Sequence, residues 1–421
     1  MLIRNKFSKS TLLLVTGLFL ATSCTKDSNS IFDPDWQGDV DPVITQVTPD
    51  SRAYAGIGSV TPDGLLPVVI EGNNFGTDKS NILVYFGLSR AEILSLTDNR
   101  IEVVPPNDPG EERRIRVVKI TAENYSEFPE DRDQHYELRS IFVPFPGFEA
   151  ADAPQSITTG FNGELYAANV LSGVNNGVLT MDLEGERERV VQDANWTYPK
   201  IQHGPDQAIY MVRGGNIGDI YRSPADALDD NLLLRMPRPF GGILDIDFDA
   251  NGWLWAIGSN NLLRVDVSSA DNETFAFPGA HRAIRVHDGH IYVASVRAAD
   301  EISGVWRLPI QADNTPGDPE LYVQMPSVDM AVRDIAFTQS GQLILATNTL
   351  ESVMVYRNNQ LEELFPGIIP PGARSFAVSS NDHSQLIISI IGTSIGDVTS
   401  TTRVLILEME QDMAPYHGTY Q

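Results

Sequence analysis

Cysteine is nearly missing from this chain: Cys24 is the single one among 421 residues. A lone thiol rules out an internal disulfide framework, which exported proteins build from paired cysteines. Positive charge is also scarce. Against 56 Asp and Glu stand 30 Lys and Arg, giving a formal charge of −26. Such a surface repels nucleic acid and anionic lipid, so no nucleic-acid partner is expected. Long apolar runs are lacking too. Beyond Leu20 no stretch approaches the ~20 residues that a bilayer-spanning helix needs. No His-Glu-x-x-His, Walker loop or EF-hand loop occurs, and the chain is read as carrying no catalytic signature, no metal site and no cofactor.

The N-terminus has the layout of a targeting segment. Arg4, Lys6 and Lys9 form a basic start, Leu12 to Leu20 a short apolar run, and Ala21-Thr22-Ser23 lead into Cys24. Small residues directly before a cysteine resemble the lipobox of bacterial lipoproteins of the Bacteroidetes type. That resemblance implies a signal peptide over 1–23, cleavage, diacylation of Cys24 and anchoring at the outer membrane, facing the cell exterior. Two acyl chains anchor stably where one is marginal. The alternative is a cleaved secretory peptide in which Cys24 is incidental. Loss of the leader removes three positive charges and no acids, taking the formal charge from −26 to −29. Residues 24–41, with Asp27, Asp33, Asp35, Asp39 and Asp41 and no apolar period, read as a flexible tether.

From 42 to 143 short β-branched runs alternate with Gly, Pro, Asn and Asp. The runs include Val43-Ile44, Val68-Val69-Ile70, Ile82-Leu83-Val84-Tyr85-Phe86, Ile101-Glu102-Val103-Val104 and Ile115-Arg116-Val117-Val118. About 100 residues of this pattern predict an antiparallel sandwich. Gly72 and Gly76 are expected to supply positive φ angles at turns. The run Val68 to Gly76, apolar-x-apolar-x-Gly-x-Asn-Phe-Gly, resembles the IPT/TIG immunoglobulin-like domain, and so does the strand ending at Pro105-Pro106. The resemblance implies a spacer or docking module with Phe75 as a core plug.

From 144 to 421 one unit recurs. Asn162-Gly163-Glu164-Leu165-Tyr166, Asp206-Gln207-Ala208-Ile209-Tyr210, Asn251-Gly252-Trp253-Leu254-Trp255 and Asp288-Gly289-His290-Ile291-Tyr292 are followed by Ser340-Gly341-Gln342-Leu343-Ile344 and His383-Ser384-Gln385-Leu386-Ile387. Asn-Gly or Asp-Gly between apolar runs is the strongest short-range hairpin signal. Six units at roughly the 40–45-residue spacing of four-stranded blades predict a six-bladed β-propeller. The last unit ends at Arg403–Glu408 and lacks an outer strand, which Ser140–Val143 can supply, closing the ring. This half resembles the NHL and gluconolactonase-like propellers. The expected fold is therefore all-β, an Ig-like sandwich followed by a propeller.

Aligning the inner strands on their first large apolar residue puts Arg282, Arg333 and Arg374 in one register, with Lys200 one place off. In a closed ring these converge at one mouth of the channel. Guanidinium groups bind carboxylates and phosphates through paired hydrogen bonds, which points to an anionic ligand such as a uronic acid. The competing possibility is that each arginine pairs with a neighbouring acid such as Asp334. Trp196 and Tyr198, in a polar loop, are candidates for stacking on sugar rings. Trp253, Trp255 and Trp306 lie in strand patterns and read as core. Asp245, Asp247 and Asp249 alternate, either around a channel cation or as solvated acids.

Three functions remain open on sequence grounds. The first is a surface binding lipoprotein for a polysaccharide or oligosaccharide, and not an enzyme. The second is a propeller lactonase or lyase using His203, His281 or His287. The third is a scaffold for an outer-membrane protein partner.

Overall fold

In a computed structural model of the chain, the structure is described for residues 38–191, 198–213, 218–224, 231–236, 242–297 and 301–418. Cys24 and Trp196 lie outside these residues, as does most of the 24–41 tether.

The first domain is a sandwich. One sheet places Val43–Thr48, Val68–Asn73, Arg100–Val104 and Glu92–Thr97 side by side. A second joins Ser126–Phe128, Ile115–Lys119, Ile82–Phe86 and Ser89–Arg90. Inward residues alternate along each strand, as in Ile82, Val84 and Phe86, and with Val68, Ile70, Ile101, Val103 and Phe75 they form one core. Gly72 departs from the expected turn role. Its φ is not positive; a Cβ there would stand 1.9 Å from the Val43 carbonyl oxygen and 2.4 Å from the Phe75 ring. The glycine is needed because two backbones and a core ring meet. Gly76, with φ of +81°, is a turn glycine as expected.

The second domain is a ring of six four-stranded antiparallel sheets. The inner strands of blades 1 to 6 are Asp152–Thr159, Lys200–His203, Asp245–Phe248, Ala280–His287, Val332–Phe337 and Ala373–Val378. In blade 2, which lacks the turn glycine, Gln207 itself takes φ of +62°. Phe142–Pro144 pairs with Arg403–Glu408, Phe142 opposite Leu407 and Pro144 opposite Leu405, and so completes blade 6 with a strand that precedes blade 1. The ring has no free ends and the two edges that an open array would expose are paired.

The core consists of layers between blades. Trp255, Ile257, Ile284, Val293 and Trp306 join blades 3 and 4, and Ile157, Leu165, Ala377, Ile387 and Val404 join blade 1 to blade 6. Trp255 and Trp306 are buried and Trp253 is partly buried against the same layer.

The sandwich docks on blades 5 and 6. Ile57 and Ile141 join the apolar layer between those blades, Gln342 Nε2 donates to the Pro62 carbonyl at 2.9 Å, and the Tyr54 hydroxyl donates to Glu410.

Candidate functional site at the channel mouth

The inner strands enter the ring at one face and leave at the other. At the entrance the ladder register breaks in four blades. His281 pairs with Ser295 and Ala283 with Ala294, so Arg282 is an extra residue with no partner across the ladder. The same break falls at Arg333, between Val332 and Asp334, at Arg374, between Ala373 and Ser375, and at Gln155, between Pro154 and Ser156. Such bulges re-aim a side chain. Here they turn Gln155, Arg282, Arg333 and Arg374 to a single cavity of about 110 Å³, completed by Pro199, Leu244, His281 and the groups beneath. Arg333 and Arg374 are half-buried and Arg282 is exposed.

None of these three guanidinium groups forms a salt bridge or side-chain hydrogen bond among the described residues; the nearby acid, Asp334, is engaged by Lys200 and Arg285 instead. Burial, and then the charges of Arg374 and Arg282, push the Arg333 guanidinium below its ordinary range. Burial does the same at Arg374, where Arg282 adds to the effect and Asp334 opposes it. Burial is the larger cause in both, and the repulsion between the guanidinium groups adds to it.

One residue further in, the side chains serve the ring. Each inner strand turns an unpaired edge to the channel, and buried N–H groups need acceptors. Ser156 Oγ accepts from Ile201 N at 3.0 Å, Asp245 from Ile284 N at 2.8 Å, Asp334 from Phe376 N at 2.9 Å and Ser375 Oγ from Ile157 N at 3.2 Å. In each case a side chain on one blade fastens the next. Asp247 repeats the device a layer deeper, accepting from Val286 N at 2.7 Å.

Lys200 lies in this second layer and not at the rim. It is 5% exposed, with Nζ 2.8 Å from Asp334 and 3.5 Å from Asp245. The one-residue offset visible in the sequence places it below the arginines, where its charge is spent on internal acids.

Arg285 bonds Asp334 at 2.7 Å and donates to the Ile335 carbonyl at 2.8 Å. Its Nη1 stands 3.7 Å from Asp247, and its guanidinium lies 4.2 Å from the Tyr416 ring centre. Tight partners on both sides hold Asp334 below the usual carboxylate range against its burial. The salt bridge of Asp245 to Lys200 is looser, at 3.5 Å, and burial pushes Asp245 up to about 6.

The far end of the channel is closed by the C-terminal segment. Ala414 N donates to the Phe337 carbonyl at 2.8 Å, Tyr416 is buried, and His203 Nδ1 meets the Gly418 carbonyl at 3.0 Å.

Several expectations change. Tyr198 is 1% exposed, packed between blades 1 and 2 with its ring against Tyr221, and offers no face to a sugar. The start of blade 2 folds it inward because the interblade layer needs a large apolar group there.

Asp245, Asp247 and Asp249 are buried, not solvated, and each is engaged by groups of the protein. Asp249 binds the Asn251 and Trp253 amides and Trp255 Nε1 in its turn, and the other two fasten strands. With Lys200 and Arg285 occupying the channel acids, these residues do not fit a divalent metal. No cluster of His, Cys, Asp or Glu among the described residues is arranged to hold one.

His281 borders the mouth, with Nε2 2.6 Å from the Phe277 carbonyl oxygen and Nδ1 3.0 Å from Ser295 Oγ, whereas His203 and His287 lie at the far ends of their strands. The three histidines do not meet.

Gly392-Thr393-Ser394-Ile395-Gly396 has the Gly-x-Ser-x-Gly spacing of a hydrolase elbow, which the expectation of no catalytic signature overlooks. The structure sets it in a hairpin between Ser394–Ile395 and Val398–Thr399, not in a strand-to-helix turn. Ser394 Oγ meets Thr399 Oγ1 at 3.2 Å.

The fold defines an all-β protein with an Ig-like domain preceding a six-bladed propeller. Residues 42–129 match the IPT/TIG domain, while the strand Tyr136–Arg139, whose Tyr136 and Leu138 join the core of the same domain, lies beyond the matched segment. No curated protein matches the chain.

Solved structures resemble it in fold. An auxiliary nutrient binding protein from Bacteroides thetaiotaomicron aligns over 89% of this chain and 98% of its own, with 12% identity and a TM-score of 0.51. A putative phosphatase from the same organism aligns over 89% and 97%, with 12% identity and a TM-score of 0.53. Regucalcin, a calcium-binding protein from Agrobacterium tumefaciens, aligns over 66% and 98%, with 13% identity and a TM-score of 0.51. The first two span both domains and the third covers a propeller-sized part.

Proposed function

We propose that the propeller binds the anionic group of an acidic glycan at the arginine mouth, as the head of a lipoprotein held at the outer membrane through Cys24 and facing the cell exterior. One observation carries the ligand class: three arginines at equivalent bulge positions share a cavity and none forms a salt bridge with a described residue, although the chain has 56 acidic residues. Gathering cations without partners costs free energy that a bound anion returns. The architecture shared with a nutrient binding protein is in keeping with binding without turnover. The IPT/TIG domain serves as a spacer and as a surface for an outer-membrane protein partner.

The test is calorimetric titration of the purified chain with glucuronic acid, galacturonic acid, glucose 6-phosphate and glucose. We expect the acids to bind and glucose not to. Arg333→Ala and Arg374→Ala each remove charge-assisted hydrogen bonds of about 1.5–3 kcal/mol, or roughly 10- to 100-fold in affinity. Preference for the phosphate would reassign the ligand's acidic group; unchanged affinity in both variants would remove the site. For the anchor, mass spectrometry of the membrane-extracted protein should find a diacylated N-terminal Cys24, and Cys24→Ala should release the chain from membranes. An unlipidated wild type would exclude it.

A further inference from the structure

The mouth is a dead end. Lys200 and Asp245 floor it, the Arg285–Asp334 pair fills the channel below, and the buried Tyr416 covers Arg285 from the far side. At about 110 Å³ the cavity is well under the ~300 Å³ at which small-molecule pockets begin. It admits a charged substituent but not the ring that carries it.

Sideways the space continues. A second cavity of about 330 Å³ shares Gln155, Arg333 and Arg374 with the first and runs outward between blades 5 and 6. Thr347 and Asn348 form one wall, and Gly372 and Ile391 to Thr393 the other. Asn348 is fixed by its Oδ1, which accepts from Ala331 N at 2.7 Å, and by its Nδ2, which donates to the Asp329 carbonyl at 3.1 Å. Arg333 and Arg374 mark the inner end of the groove; the rest of its lining is uncharged and holds no acid, on a protein whose acids outnumber its basic residues. Neutral hydroxyl-bearing rings suit such a wall, since each hydrogen bond can be made without desolvating a charge.

We propose that the ligand enters acid-first: a terminal acidic unit places its carboxylate among Arg282, Arg333 and Arg374, and the neutral remainder of the oligosaccharide leaves along the groove between blades 5 and 6. This rests on the anionic-glycan reading and adds to it the position of the acid within the chain. The groove takes the neighbour on one side of the acid, so an acid flanked by sugars on both sides places only one of them there.

The experiment compares glucuronic acid, a trisaccharide with glucuronate at its end, and the isomer with glucuronate in the middle. Each is titrated into the wild-type chain, Thr393→Trp and Arg333→Ala. Thr393 is a partly exposed residue on the groove wall, and its enlargement fills the groove. The terminal-acid trisaccharide should bind at least tenfold more tightly than glucuronic acid. Thr393→Trp should erase that gain, and the internal-acid isomer should gain nothing. Equal affinities for monosaccharide and trisaccharides, or a gain that survives Thr393→Trp, would overturn the groove while leaving the mouth intact. Failure of all three acids to bind the wild type would overturn the mouth as well.

Discussion

Replacing Asp334 by Asn tests the account of the channel. Asp334 is fully buried and accepts from Lys200 at 2.8 Å, Arg285 at 2.7 Å, Ile335 N at 2.8 Å and Phe376 N at 2.9 Å. Asparagine keeps the volume but removes the charge that two buried cations share. Lys200 is then left with Asp245 at 3.5 Å, and Arg285 with Asp247 at 3.7 Å. Breaking a buried ion pair from one side costs about 3–5 kcal/mol, because the remaining charge is stranded away from water. For a domain of this size that lowers the thermal midpoint by on the order of 10 °C. Denaturation by guanidinium chloride, followed by tryptophan fluorescence, supplies the free energy. Adding Lys200→Met to Asp334→Asn removes one stranded cation, so the double variant should recover part of the loss and show a clear coupling energy. A loss under about 1 kcal/mol for Asp334→Asn, or strict additivity in the double variant, would refute the assignment of Asp334 as the hub.

The other predictions concern titration and packing. Asp245 is pushed up to about 6 in the folded chain from an ordinary 3.8. The folded state therefore binds its proton first, and this group's contribution to stability falls as pH rises from about 4 to 6. Asp245→Asn mimics the protonated form, so its thermal midpoint should lie nearest that of the wild type at pH 4 and rise relative to it as pH increases to 7. A difference that stays constant or moves the other way over that range would contradict the shift. Gly72→Ala forces a Cβ against the Val43 carbonyl oxygen and the Phe75 ring and should destabilise the sandwich by at least the ~1–3 kcal/mol typical of overpacking. Unaltered chemical denaturation would contradict that packing.

Much of the architecture was legible because hairpin turns are local. Asn162-Gly163, Asn251-Gly252 and Asp288-Gly289 announce their turns without reference to the rest of the chain, and period-two alternation places the strands around them. The arginine register was legible for the same reason: the inner strands align residue by residue on Ile284, Ile335 and Phe376. Burial depends on neighbours far away in sequence and was less readable. Tyr198 has the flanks of a loop residue, yet it meets Tyr221 in an interblade layer. Asp245 and Asp247 have the spacing of channel-lining acids, but their bonds to Ile284 N and Val286 N exist only once blade 4 lies beside blade 3. The bulges left no signal of their own in the sequence. Gly72 carried a signal for a turn and is instead conditioned by a backbone crossing.

The strand that completes blade 6 belongs to the beginning of the propeller, whereas its partner Arg403–Glu408 is among the last segments of the chain. During synthesis, Phe142–Pro144 is therefore made before any blade and has to wait for nearly the whole domain before it can pair. Until then five blades can stack on their neighbours, but Leu405 and Leu407 have no outer strand to cover their edge. Ring closure is the most non-local event in this fold, the step expected to be slow and exposed to mispairing. A chain truncated shortly before Arg403 would lose this clasp even with its first five blades complete.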